Sequence, residues 1–258
     1  MVVTGASSGI GEGLARELAG AGAVLTLVAR RRERLQELAR EIAEAGGSAE
    51  PLAFDLGATG AGRRLGERLL AERPAVDELV NNAGTSGEMS DFVDKTAASV
   101  RQTFELNLLS PVELAHVILP GMIERRTGTL VSVASVSAWT PTPKSSTYVA
   151  SKRALVAVDE VLRLELAGTG VHVVSVFPGP VLTPMLQKTL EDPLGANLKH
   201  LPTGTVEGMA RRIRIAIEER RDVVVYPDAF RPLRWISGAL GPITRVSQPL
   251  LDLLGKKS

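Results

Sequence analysis

Tyr148 and Lys152 are the two residues of this sequence best suited to acid–base chemistry. They stand four residues apart in a pattern that predicts a helix, so their side chains share one helix face. A free tyrosine has a pKa of about 10, and a nearby ammonium group favours the phenolate and lowers that value. Tyr148 could then give a proton to a carbonyl oxygen or take one from an alcohol. The motif alone is short, and a chance pair on a helix surface is the alternative.

A serine that could bind the substrate oxygen lies at the end of a predicted strand, within residues 131–137. Ser132, Ser135 and Ser137 all compete for this role. A hydroxyl can both donate and accept a hydrogen bond, so any of the three could hold an oxygen beside Tyr148.

Asn107 is a further catalytic candidate because its backbone carbonyl could be free to hold a water molecule. It lies in a helical pattern with Val100 and Phe104, where asparagine is not intrinsically favoured. Pro111 follows four residues later and has no N–H to bond the carbonyl of residue i−4. The alternative is that Asn107 is a helix N-cap.

A glycine-rich turn follows the first predicted strand and leads into a helix. Its sequence is Thr4-Gly5-Ala6-Ser7-Ser8-Gly9-Ile10-Gly11. Glycines allow a tight turn and a close approach of the backbone to a pyrophosphate, while the helix N-terminus supplies N–H groups and a favourable dipole. Such a turn alone is weak evidence, and its place between the first strand and a helix strengthens it.

Four motifs together resemble those of the short-chain dehydrogenase/reductase family, in family order and at family spacing. They are the glycine-rich turn, Asn-Asn-Ala-Gly at residues 81–84, Tyr148-x-x-x-Lys152 and Pro178-Gly179. The resemblance covers residues 1 to about 226. It implies an oxidoreductase that interconverts a carbonyl and a secondary alcohol by hydride transfer with a nicotinamide cofactor. It also selects Ser135, thirteen residues before Tyr148, over Ser132 and Ser137.

The resemblance implies a role for each matching residue. Ser135 would orient the substrate, Tyr148 would be the acid/base, Lys152 would tune it and bond the nicotinamide ribose, and Asn107 with a water would refill the proton. Asp55 would contact the adenine amino group. The implied cofactor-binding set is Gly5, Ser7, Ser8, Gly9, Ile10, Gly11, Asp55, Leu56, Asn82, Ala83, Gly84, Tyr148, Lys152, Pro178, Gly179, Val181 and Thr183.

The end of the second predicted strand favours NADP(H) over NAD(H). NAD-binding folds place an acid there to bond the ribose 2′-hydroxyl, and Ala29 occupies that position here. Arg30 and Arg31 follow and could bond a 2′-phosphate through planar, charge-assisted contacts. The alternative is that Arg30, Arg31 and Arg32 simply begin a solvated helix.

Alternating strands and helices predict an α/β fold, a doubly wound Rossmann fold with about seven mostly parallel strands and helices on both faces. The predicted strands are residues 1–3, 24–29, 49–54, 78–80, 129–133, 171–177 and 222–226. Pro51 cannot donate to a ladder, so its strand should be an edge. We assign one domain over residues 1–258, with a substrate lid at about 184–220 and an extension at 227–258.

Composition excludes several classes of function. The 258 residues carry a net charge of +1, which argues against a nucleic-acid partner, and they contain no cysteine. The three histidines show no metal-ligand spacing, so no metal site is expected. The glycine motif begins at Thr4, leaving no room for a leader, and prolines break the longest uncharged stretch. We therefore expect no transmembrane segment and a cytoplasmic location.

The substrate is the least determined feature. Trp139, Leu182 and Met185 join Ser135 and Tyr148 as candidate pocket residues, and the apolar extension favours an apolar carbonyl or alcohol. The extension could also pack on a partner subunit or lie on a membrane surface. A homodimer or homotetramer is implied by the resemblance. One alternative is a catalytically silent NADP-binding sensor, which would be expected to lack the catalytic serine, tyrosine or lysine. The other is a sugar-nucleotide epimerase, which would be expected to have a longer C-terminal substrate domain.

Overall fold

Seven parallel strands form one sheet at the centre of the protein. The computed structural model describes residues 1–73, 75–140, 142–191 and 201–235. The strand order is β3-β2-β1-β4-β5-β6-β7, and every neighbouring pair is parallel. The strands are β1 Val2–Thr4, β2 Val24–Ala29, β3 Ser48–Ala53, β4 Glu78–Asn81, β5 Gly128–Val133, β6 Val171–Pro178 and β7 Val223–Tyr226.

Helices cover both faces of this sheet. They are α1 Gly9–Gly20, α2 Arg32–Glu44, α3 Ala61–Glu72, α4 Ala97–Phe104, α5 Ser110–Glu124, α6 Ser146–Glu165, α7 Pro184–Glu191 and α8 Val206–Glu218. One buried apolar cluster joins α1, α2 and α8 to the sheet, and a second joins α3, α5 and the end of α6 to it. The predicted doubly wound Rossmann fold is confirmed.

The predicted elements agree with the structure to within one or two residues. The strand that contains Pro51 is β3, which lies at an edge as its missing N–H requires. Helix α2 ends at Glu44, just before Gly46 and Gly47. The predicted extension begins at residue 227, directly after the end of β7. Residues 236–258 of the extension and residues 192–200 of the predicted lid lie outside the described part of the chain.

A row of buried polar side chains crosses three neighbouring strands. Asn81 of β4 pairs in register with Ser132 of β5, which pairs with Ser175 of β6. All three are buried among aliphatic side chains, so each must find a hydrogen-bond partner. Asn81 donates to the Pro111 carbonyl of α5, and the two serines donate to Asp159 of α6. The row therefore fixes two helices on the sheet.

Helices α4 and α5 form one long apolar stretch, joined by a turn of π-helix at Glu105–Leu109. By length and composition alone, this stretch, Ala97–Glu124, could cross a membrane. Its second half packs on the sheet, with Leu114, Ile118 and Met122 buried in the core. A core helix of a soluble protein passes the same test.

Gly62 provides a test of the packing between α3 and α5. A Cβ added at Gly62 would lie 2.0 Å from the Ser110 backbone oxygen, whereas one added at Gly20 at the end of α1 would meet no atom within 4 Å. We predict that Gly62→Ala lowers the free energy of unfolding by roughly 1–3 kcal/mol through overpacking. The matched Gly20→Ala should be neutral or stabilising by up to about 1 kcal/mol. Urea denaturation measures both, and equal effects would contradict this packing.

Candidate active site

The glycine-rich turn lies at the carboxyl ends of β1 and β4, where the two strands come close together. The Thr4 hydroxyl donates to the Val80 carbonyl at 3.1 Å and accepts from the backbone N–H groups of Asn82 and Ala83. The Asn82 amide donates to the Thr4 carbonyl at 2.9 Å. A Cβ at Gly5 would lie 2.8 Å from that amide nitrogen, so the close approach requires glycine.

Arg31 reaches back from the start of α2 to the glycine-rich turn. Its guanidinium donates to the Ser7 carbonyl at 3.0 Å, to the Ser7 hydroxyl, and to the Ser8 hydroxyl at 2.8 Å. The Ser8 side chain makes no capping bond to helix α1, so the N–H groups of that helix end carry no cap from it. The turn, the helix end and an arginine thus form one cationic cradle, with exposed Arg30 beside it.

The remaining residues of the predicted cofactor set line the same edge of the sheet. A Cβ at Gly9 would lie 3.2 Å from Thr183, so the segment after β6 approaches the turn. Asp55 is exposed after β3 and accepts the Gly57 N–H, while Leu56 is buried. The Gly179 N–H donates to the Tyr226 carbonyl, and Val181 is buried.

Ser135 and Tyr148 lie side by side, although thirteen residues separate them. Ser135 follows β5 and is buried, and its hydroxyl accepts the Ser137 N–H at 3.1 Å. Burial raises the pKa of the half-buried Tyr148, and the neighbouring Ser135 hydroxyl acts to lower it. Lys152 is not among the causes of this shift, so the lowering of the Tyr148 pKa by a nearby ammonium group stays a prediction.

Lys152 is buried under the same face of α6 as Tyr148. Its ammonium donates to the Val133 carbonyl at the end of β5, at 2.7 Å. Burial lowers the pKa of Lys152 to about 8, and the negative charge of Asp159 acts against that shift. The Lys152 ammonium therefore loses its proton in the neutral to mildly alkaline pH range.

Asn107 lies in the π-helical turn and is fully buried. Its side-chain oxygen accepts the Thr85 N–H, and its amide donates to the Thr85 carbonyl and to the Ser151 hydroxyl, at 2.9–3.1 Å. Pro111 lacks the N–H for an α-helical bond to the Asn107 carbonyl, as the sequence indicates, and the chain there is π-helical. Asn107 is not an N-cap residue, because helical chain precedes it.

Gly84 brings the cofactor end and the catalytic end together. A Cβ at this position would lie 3.2 Å from the Asn107 side-chain oxygen and 3.4 Å from the Lys152 ammonium. Asn107, Ser135, Tyr148 and Lys152 thus come from three different segments, the π-helical turn, the chain after β5 and helix α6, and surround the ends of β4 and β5. Thr85 and Ser151 complete this arrangement, and no motif in the sequence pointed to them. The sequence did not predict a role for Asp159 either, because a single acidic residue in a helix belongs to no recognisable motif.

The predicted pocket residues divide into two groups. Trp139 is buried and stacks on Phe177, with ring centroids 4.0 Å apart, so its described contacts belong to the core. Leu182 and Met185 are 55% and 46% exposed on the segment that follows β6. Their contact with a substrate remains a prediction.

The comparison with known proteins identifies the family. The profile of the family described as short chain dehydrogenase matches residues 1–194. A short chain dehydrogenase of Pseudocercospora fijiensis is 36% identical over 222 residues, which cover 85% of this chain and 69% of the relative. This chain belongs to the short-chain dehydrogenase/reductase family, whose members are oxidoreductases.

Two further matches extend to nearly the whole chain. The fatty acyl-CoA reductase of Acinetobacter baylyi is 33% identical over 252 residues, covering 96% of this chain and 79% of that enzyme. A short-chain dehydrogenase from Sphingobium yanoikuyae, solved in complex with NADPH, is 28% identical with a TM-score of 0.80 and covers 97% of this chain and 94% of its own.

The bonds of Asn107 make its structural contribution testable. We predict that Asn107→Ala lowers the free energy of unfolding by about 2–4 kcal/mol, because the half-buried N–H and carbonyl of Thr85 lose their partner. Gln102→Ala, on the exposed face of the preceding helix, should change it by less than about 0.5 kcal/mol. Chemical denaturation measures both variants. Equal stability of the two would contradict the bonding described for Asn107.

Proposed function

We propose that this protein is an NADP(H)-dependent oxidoreductase that interconverts a carbonyl and a secondary alcohol, with Tyr148 as acid/base. The observation that carries the proposal is the position of Tyr148 next to the buried Ser135, with the Lys152 ammonium buried on the same helix face as Tyr148. A hydroxyl pair of this kind can bind one substrate oxygen from two sides, and the cation stabilises negative charge that develops there.

The residues at the carboxyl edge of the sheet fit a dinucleotide. Gly5 and Gly9 have positive φ angles and leave no side chain over the turn, while the N-terminus of α1 and Arg31 favour a pyrophosphate or phosphate. Asn82 and Ala83 border the adenosine side, and Lys152 would reach the nicotinamide ribose. When bound, the nicotinamide ring supplies hydride to the substrate carbon or accepts hydride from it.

The catalytic residues move one proton in the reduction direction. Ser135 donates a hydrogen bond that holds the carbonyl oxygen beside the Tyr148 hydroxyl. Tyr148 transfers its proton to that oxygen, and the phenolate left behind is stabilised by the Lys152 ammonium. A water held by the Asn107 carbonyl would return a proton toward Lys152 and Tyr148. The alcohol oxidation uses the same residues in the opposite order.

The choice of NADP(H) rests on charge at the cradle. Ala29 leaves no acid to bond a ribose 2′-hydroxyl, and Arg31 already lies on the turn with Arg30 exposed beside it. Three more structural neighbours, 28–31% identical to this chain, are crystal structures with NADP. Arg31 contacts the turn directly, so it is proposed together with Arg30 as a ligand of the 2′-phosphate.

An apolar substrate is the more specific part of the proposal. Leu182 and Met185 present exposed apolar side chains on the segment that approaches the turn. Phe92 and Val93, after the Asn-Asn-Ala-Gly motif, are also largely exposed. One relative is named a fatty acyl-CoA reductase, and a fatty acyl group is apolar. The sensor alternative is less favoured because Ser135, Tyr148 and Lys152 are all present and lie near one another.

Replacement of the phenol tests the acid/base role. We predict that Tyr148→Phe lowers carbonyl reduction by roughly 10²–10⁴-fold while NADPH binding persists, because only the proton donor is lost. The other tyrosine of the chain gives a matched control, and Tyr226→Phe should keep nearly full activity. The carbonyl panel should run from small polar ketones to long-chain aldehydes and ketones. Binding without turnover by the unmutated protein would favour the sensor, and activity confined to small polar carbonyls would end the apolar proposal.

Replacement of the arginines tests the cofactor choice. We predict that Arg31→Ala and Arg30→Ala each weaken NADPH binding by roughly 10–100-fold, the loss of a charge-assisted contact to a 2′-phosphate. NADH binding should change much less. Arg32→Ala is the control, since its side chain begins the exposed part of α2. Fluorescence titration of the nicotinamide gives the affinities, and a native preference for NADH would contradict the assignment.

A further inference from the structure

Asp159 is a buried acid that the mechanism above does not use. It lies on α6, seven residues after Lys152, and only 1% of its surface is exposed. Its two carboxylate oxygens accept from Ser132 at 2.8 Å and from Ser175 at 2.6 Å. These serines are a registered pair on β5 and β6, so one carboxylate bridges two neighbouring strands.

The surroundings of Asp159 contain both charge and hydrogen-bond donors. Burial raises the pKa of Asp159 to about 6, while its bonds from Ser175 and Ser132 and the charge of Arg163 act to lower it. Glu160, exposed on the same helix, acts to raise it. Arg163 donates to the Ser175 hydroxyl and to backbone carbonyls of Val173 and Asp222. Glu105 is the buried acid of the π-helical turn that packs on α6.

We propose that Asp159 is a positioning residue for the proposed reaction, holding Lys152 against β5 and supplying the negative charge that keeps its ammonium group protonated. Its bond to Ser132 fixes the strand one residue before Val133, whose carbonyl accepts from Lys152. Ser135 follows on the same segment. A single carboxylate therefore ties the helix of Tyr148 and Lys152 to the strand that carries Ser135.

The charge argument separates this role from simple packing. Seven residues of helix put Asp159 about 10 Å from Lys152 along the axis. At that distance inside a protein, one unit charge changes a pKa by roughly 0.5–1 unit. Asp159 is the charged group that counteracts the burial of Lys152 in the described part of the chain. Because Asp159 itself protonates near pH 6, its support for Lys152 is present above that pH and lost below it.

Asp159→Asn tests the inference, since it keeps the shape and removes the charge. Titration of ¹³C-lysine-labelled protein by NMR, with Lys152 assigned through Lys152→Arg, should show the Lys152 pKa roughly 0.5–1 unit lower in Asp159→Asn. Glu160→Gln, which removes a charge one residue away, should leave that pKa within about 0.2 unit. An unchanged Lys152 titration in a folded Asp159→Asn protein would overturn the inference, whatever the enzyme's activity.

The pH profile of turnover gives a second readout. The high-pH limb of kcat/KM should move to lower pH in Asp159→Asn by the same shift, and the two proteins should converge below about pH 6. Ser132→Ala keeps the charge and weakens the packing, so it should lower stability without moving the limb. A limb moved equally by both variants would assign Asp159 a packing role only. No turnover by any protein would instead reject the proposed function and leave the NMR result to decide this inference.

Discussion

A lysine that is almost wholly buried must keep its ammonium group bonded, and at Lys152 this requirement determines how helix α6 lies on the sheet. The ammonium reaches the Val133 carbonyl at the end of β5, which places Tyr148, one turn earlier, beside Ser135. Burial still lowers the pKa of Lys152 to about 8. A cation whose pKa lies near neutral pH can stabilise a phenolate and also exchange a proton. The burial that lowers the pKa of Lys152 therefore also suits this lysine to proton transfer.

The two halves of the site are joined by backbone rather than by long side chains. Thr4 and Asn82 bond the glycine-rich turn to the chain that follows β4, and Gly84, two residues on, lies against Asn107 and Lys152. A nucleotide bound at the turn would therefore extend across the ends of β1 and β4 toward Tyr148. Parallel strands make this possible, since all their carboxyl ends meet at one edge of the sheet.

Much of this arrangement could be predicted from the sequence because its signals are local. Pro51 marked an edge strand through its missing N–H, and Pro111 marked the irregular helix at Asn107. Ser135 could be chosen only through the family resemblance, since three serines near the strand end were chemically equal. The role of Asp159 could not be predicted from the sequence, because it depends on a strand register that brings two distant serines together.

The transfer of hydride tests the central claim most directly. The protein would be incubated with NADPH carrying deuterium at C4, using the 4R and 4S forms in parallel, together with the apolar carbonyl that the screen identifies as best. We predict one deuterium on the carbinol carbon of the alcohol from one of the two forms, and far slower transfer when Tyr148→Phe replaces the unmutated protein. A folded protein that binds NADPH yet transfers no deuterium from either form to any carbonyl tested would contradict the account.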